Sequence, residues 1–278
     1  MQSRAARGLE PQRRQRPRTK GQSRDPRARS RQGGSSFLGL GRGSVFNTRC
    51  MKVRGSATML RLLRASRLAR WRLASSLQCR VARVLAGISA IAFVIAVVIL
   101  RAKGAAEGLP GLVERSALVA AWIATPFVAM WSARNRADLD RRDGIAELAR
   151  IRGIDEPLLA LGRGITATTY LARLVFLATL PSVVAAAACS PSLRGAVGIA
   201  ASTIPLAAFS LAVGLAGGAL PAACGHVAPH RGRSLFLAIV FLPWMLDGLI
   251  ATGRTHAGSV PGVLSMIARL VGATGDWG

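Results

Sequence analysis

The residues with chemistry to offer crowd into one charged segment, Asp138 to Arg163, which reads DLDRRDGIAELARIRGIDEPLLALGR. It holds Asp138, Asp140, Asp143, Glu147, Asp155 and Glu156, six of the ten acids that follow residue 83. Asp140 and Asp143 stand three apart, a spacing that sets two carboxylates on one side of a helix. Asp143, Glu147 and Arg150, at i, i+4 and i+7, lie close to one helical face, with Leu148 and Ile151 as apolar neighbours. Mixed charge of this kind suits a polar protein contact whose register is set by ion pairs. Elsewhere the chemistry thins out. Cys224, His226 and His230 are near one another, but Pro229 breaks any helix that would align the two histidines, and no acid adjoins them; a turning surface loop explains them better than a metal site. No G-x-x-x-x-G-K-[ST] is present, and the glycines between Gly39 and Gly43 lack the lysine and the following helix. We therefore expect no catalytic residue, no metal and no cofactor in this chain.

The elements that must position the segment are read from hydropathy. Of 278 residues 51% are hydrophobic, the mean hydropathy is +0.35, and the apolar residues form blocks too long for buried helices of a water-soluble protein. An all-α polytopic membrane protein is the expected class. The formal charge of +26 is not spread evenly: residues 1–83 carry 22 of the 38 Lys and Arg against two acids, which leaves 16 minus 10, or +6, for the remainder. That asymmetry points to a basic tail on a membrane body. Cys50, Cys79, Cys189 and Cys224 show no C-x-x-C spacing and imply neither disulfides nor zinc.

Residues 1–58 read as a disordered basic tail, with too little apolar surface to offset ordering entropy. The alternatives for it are an arm for anionic lipid or nucleic acid, the latter the weaker, and sequence upstream of a true start at Met51 or Met59. From 59 to 80, Leu60, Leu63, Leu68, Trp71 and Leu73 interleave with Arg61, Arg64, Arg67, Arg70 and Arg72. This spacing predicts an interfacial amphipathic helix, its arginines reaching headgroups while Leu and Trp sink below them. The transmembrane domain then covers 81–278.

Uncharged runs predict spans at Val84–Leu100, Ser116–Ala133, about Gly164–Cys189, Gly195–Cys224 and Ser234–Thr252. A last segment, 258–273, is too short and Gly-rich to be assigned as spanning rather than re-entrant, so five or six crossings are expected. Pro205 and Pro221 predict a bent or irregular fourth run, and Gly214, Gly217 and Gly218 a small-residue face that another helix can approach. Arg173 and Asp247 are charges inside spans, expected either to pair, to line a path or to snorkel. Basic residues concentrate before the first span, in Arg134–Arg163 and in His226–Arg233, which places these on the cytoplasmic side.

With that layout, the segment resembles the coupling region of permease subunits of type-2 ABC exporters. Those proteins show charged residues, then Gly-Thr-x-Glu-Leu-Leu, a Pro-containing turn and a basic residue opening the third helix. The match lies at Gly144, Glu147, Leu148 and, more loosely, Arg163, with departures at Ile145, where Thr is common, and near Gly153, where Ser-Pro is common. The resemblance implies a bacterial inner-membrane exporter whose coupling helix, here through Asp143, Gly144, Glu147, Leu148 and Arg150, seats in a separate ATP-binding subunit. It also implies a second permease subunit, identical or not, and leaves the cargo open.

A second resemblance is to the start of the CDP-alcohol phosphotransferase signature, at Asp140-x-x-Asp143-Gly144 and Ala149-Arg150. The later Gly-x-x-x-Asp-x-x-x-Asp is missing, since Gly162 leads to Thr166 and Tyr170. Two of four metal carboxylates are thus lost. A membrane scaffold working through its basic arm is the third reading.

Overall fold

A computed structural model describes the backbone of residues 48–134, 136–250 and 259–273, with side chains from Thr58 onward except at 106, 135–138, 244 and 247–250. Every regular element among them is helical. In order these are α1 (Thr48–Ser75), α2 (Leu77–Ala102), a 3-10 turn (Ala106–Gly108), α3 (Leu109–Ser132), α4 (Arg136–Arg142), α5 (Ile145–Ile151), α6 (Glu156–Cys189), α7 (Leu193–Ala201), α8 (Thr203–Gly214), a π turn (Leu215–Ala219), α9 (Leu220–Val227), α10 (Gly232–Ile250) and α11 (Val260–Ala273). Four helices are long and apolar enough to cross a membrane: α2, α3, α6 and the run Leu193–Val227 built from α7 to α9. Gly232–Pro243 and Val260–Ala273 are shorter apolar helices. At 14 residues α11 extends about 21 Å, less than a hydrocarbon core of about 30 Å.

Several boundaries differ from expectation. Helix α1 begins at Thr48, so the tail expected to be unordered to 58 is already helical for its last residues, while residues 1–47 lie outside those described. The break before the first span falls at Ser76, not at 80. There Ser76 takes extended backbone and its hydroxyl accepts the Cys79 amide at 3.4 Å, capping α2. Ala65, Ala69 and Leu73, one turn apart, are buried against the bundle, whereas Leu60, Leu63 and Trp71 point outward. The small side chain of Ala65 lets α1 lie close against Gly162 of α6.

Helix α6 is the centre, packing on α3, α1, α2 and α8. Hydroxyls tie it in: the buried Ser116 and Ser182 share a hydrogen bond of 2.7 Å between α3 and α6, and the part-buried Tyr170 donates to the Cys79 carbonyl at 3.0 Å. The expected glycine face meets α6. A Cβ on Gly218 would fall 2.5 Å from the Thr168 nitrogen, and one on Gly214 would fall 2.6 Å from the Thr168 carbonyl oxygen, so only glycine allows this approach. The irregularity predicted for the fourth run takes the form of the π turn, which lies between Gly214 and Pro221.

Candidate functional site

The charged segment folds as two short helices, not one. Helix α4 ends at Arg142, and Gly144 takes a left-handed backbone, φ 71°, before α5 starts at Ile145. Gly153, φ 68°, turns the chain again into α6, which opens on Glu156 and Pro157. A left-handed residue in mid-helix breaks the hydrogen-bond ladder, and glycine adopts it without strain. The expectation that Asp143, Glu147 and Arg150 share one helical face is therefore overturned: Asp143 precedes the break and belongs to a different surface.

Asp143, half exposed, pairs with Arg72 on α1, which also pairs with Asp140. The second Asp140 oxygen accepts from Arg163 on α6. Its side chain is only 5% exposed, so one buried carboxylate knots three elements, α1, α4 and α6. Such a charge is tolerable in the interior because both oxygens are bound by guanidinium groups. Arg141 reaches Glu156 at 3.3 Å on the outside. Beside the knot, Ala149 of α5 packs with Ile154, Leu159 and Ala65, Leu68 and Leu158 lying against them. Gly162 allows the contact, for a Cβ there would sit 2.9 Å from that of Ala65.

With its inner side pinned, α5 presents the other to solvent. Glu147, Leu148, Arg150, Ile151 and Arg152 are all exposed, and Ile151 retains 82% of its surface. No ion pair links Glu147 to Arg150. Of the five residues expected to form a docking surface, Glu147, Leu148 and Arg150 come together on this face, Gly144 makes the turn beneath it, and Asp143 is drawn away. Asp138 has a described backbone in α4, but its side chain lies outside the described residues.

Sequence reasoning missed Arg72 as a partner of the segment, and gave Asp140 a metal role only through the second resemblance, to the CDP-alcohol phosphotransferase signature. The signal was weak: Arg72 is one of five arginines in a row of similar spacing, and only its height on α1, level with α4, selects it. Among the described residues no group of three or more His, Cys, Asp and Glu converges as metal ligands. Cys224 is buried while His226 and His230 are exposed.

Arg173 is exposed midway along α6. Helical Cα–Cβ bonds tilt toward the N-terminus, here the end that carries α1 and the charged segment. One turn earlier Tyr170 reaches the first turn of α2. Asp247, its expected partner, has its side chain outside the described residues.

No family model, curated protein or solved structure matches the chain.

Proposed function

We propose that this chain is the membrane-spanning permease subunit of an ABC-type transporter, acting as an exporter and driven by a separate ATPase docked on the 138–163 segment. The observation that carries the reading is the outward face of α5, where Leu148 and Ile151 stand in solvent among Glu147, Arg150 and Arg152. An apolar pair rimmed by charge on a helix pinned from behind has the make-up of a contact surface. Burying Ile151 alone in a partner is worth about 1.5 to 3 kcal/mol.

The ties behind α5 supply the transmission that such a role needs. Force applied to α5 passes through Ala149 to Ala65 and Leu159, and through Asp140 to Arg72 and Arg163, into α1 and α6. Both helices pack on the rest of the bundle. On this reading the charged segment and the N-terminal side face the cytoplasm of a bacterial cell, in the inner membrane. Two permease chains act with two ATPase subunits, which bind the ATP. A metal-dependent enzyme reading would need Asp140 and Asp143 free, whereas both are engaged by Arg72.

The test is to purify the full chain in mild detergent from the cells that make it and to quantify by mass spectrometry any ATPase that accompanies it, beside Glu147→Arg and Ile151→Asp variants. A stoichiometric ATPase present with wild type and lost from both variants supports the reading. Absence of an ATPase from the wild-type sample sinks it.

A further inference from the structure

Helix α1 crosses α6 where the charged end of α6 gives way to an uncharged run, 164–172. Ala65 lies against Gly162, the Ser66 carbonyl accepts from Thr166 at 3.1 Å, and Arg72 is joined to Arg163 through Asp140. Residues 65–72 of α1 thus stay level with little more than one turn of α6. In a bilayer this is the level of the headgroups. We infer that the outward side of α1 is a binding surface for anionic phospholipid, selecting a negatively charged leaflet over a zwitterionic one.

Two independent observations carry this. The first is charge without compensation. The 28 residues of α1 include seven arginines and one lysine and not a single acid. Arg72 is taken up by Asp140 and Asp143. Arg64, Arg67 and Arg70 are exposed, and none of them is in an ion pair with any of the described residues. Placed three apart, they repel one another along one side of the helix and disfavour it. A helix face built for water mixes acids among its bases; this one is matched only by a surface that supplies the negative charge itself.

The second is what stands between the arginines. Leu60, Leu63 and Trp71 are exposed on the same side, three or four residues from Arg64 or Arg67, and Trp71 keeps 72% of its surface open. The helix cannot roll to hide them, because its other side is fixed to α6 by the close approach of Ala65 to Gly162 and by the Arg72 ion pairs.

A leaflet answers both halves of this surface at once. Its phosphates take the guanidinium groups, while Leu60, Leu63 and the Trp71 indole sink just beneath them. Nucleic acid offers phosphates to the arginines and no apolar bed to the two leucines. The surface also leads directly into the membrane, since α2 starts at Leu77, one residue beyond the Ser76 break. The inference does not depend on an ATPase docking at α5.

The experiment places the full chain in nanodiscs of equal parts phosphatidylglycerol and phosphatidylcholine with matched acyl chains, and measures by native mass spectrometry the lipids retained on release. One basic residue near an anionic surface is worth about a fivefold preference, so wild type should retain phosphatidylglycerol over phosphatidylcholine by about tenfold or more. Arg64→Gln, Arg67→Gln and Arg70→Gln together should lower that ratio by about fivefold or more. The same three positions changed to Lys should stay within about twofold of wild type, because a leaflet reads charge and not guanidinium shape. The basic residues of 1–47 are common to every sample and cancel in the comparison. Melting in phosphatidylcholine alone at or above the wild-type temperature establishes that the Gln variant folds, since it has lost only like-charge repulsion. Equal retention of the two lipids by wild type, or an unchanged ratio in the Gln variant, overturns the proposal. So does release of the retained phosphatidylglycerol by a DNA duplex at about 0.15 M salt, which would assign the face to nucleic acid.

Discussion

Arg72, in the last turn of α1, is bonded to Asp140 in α4 across 68 residues of chain, and the other oxygen of the same carboxylate is bonded to Arg163 of α6. The surface helix, the charged segment and the central membrane helix are thereby locked at one point. A charge buried this deeply is stable only while both partners remain.

Asp140→Ala should lower stability by about 3 kcal/mol, the low end for breaking a buried pair, because Arg72 retains 21% exposure. It strands two guanidinium groups at once. Thermal melting in detergent measures this, and the double change Asp140→Leu with Arg163→Met should cost less than Asp140→Ala alone. A double variant as unstable as the sum of its parts would mean that the knot contributes by packing and not by charge.

Gly218→Ala should destabilise by about 1 to 3 kcal/mol, since the new Cβ meets the backbone of Ala167 and Thr168 at 2.5 to 2.8 Å and neither can yield. Gly87→Ala in α2 is the matched contrast: nothing lies within 4 Å of its Cβ, and helix propensity favours alanine by up to about 1 kcal/mol. Opposite signs in the melting temperatures are expected.

Gly144→Ala should cost about 1 kcal/mol although its Cβ would meet nothing within 4 Å, the penalty arising from the left-handed backbone alone. Gly144→Asn should recover much of the loss, because asparagine enters that region more readily. If Asn and Ala behave alike in the melt, the turn does not control the segment.

Ile151→Asp and Glu147→Arg should leave the unfolding free energy within about 0.5 kcal/mol of wild type, as exposed residues with no partner in the bundle do, so that their melting curves nearly coincide with it. If the proposed permease reading holds, the same variants should lose an ATPase that accompanies wild type. A large drop in stability would mean that α5 leans on this face internally.

Much of the fold was legible in the sequence because hydropathy is a local property. An uncharged apolar run long enough for a bilayer reads as a membrane helix wherever it ends up, so α2, α3, α6 and the Leu193–Val227 run could be placed with only their ends in error. Their ends moved because helix boundaries depend on single caps and turns, such as the Ser76 hydroxyl and the φ of Gly144. Gly214 and Gly218 announced a close contact, and only the packed bundle named Thr168 of α6 as the other side. The exposed face of α5 was partly foreseen, through Glu147, Leu148 and Arg150. Asp143 was misassigned, since helical spacing says nothing about a break between residues. Which of 35 arginines would hold Asp140 was beyond any pattern. Ion pairs between distant residues are chosen by the heights and facings at which helices pack, and those exist only once the chain has folded.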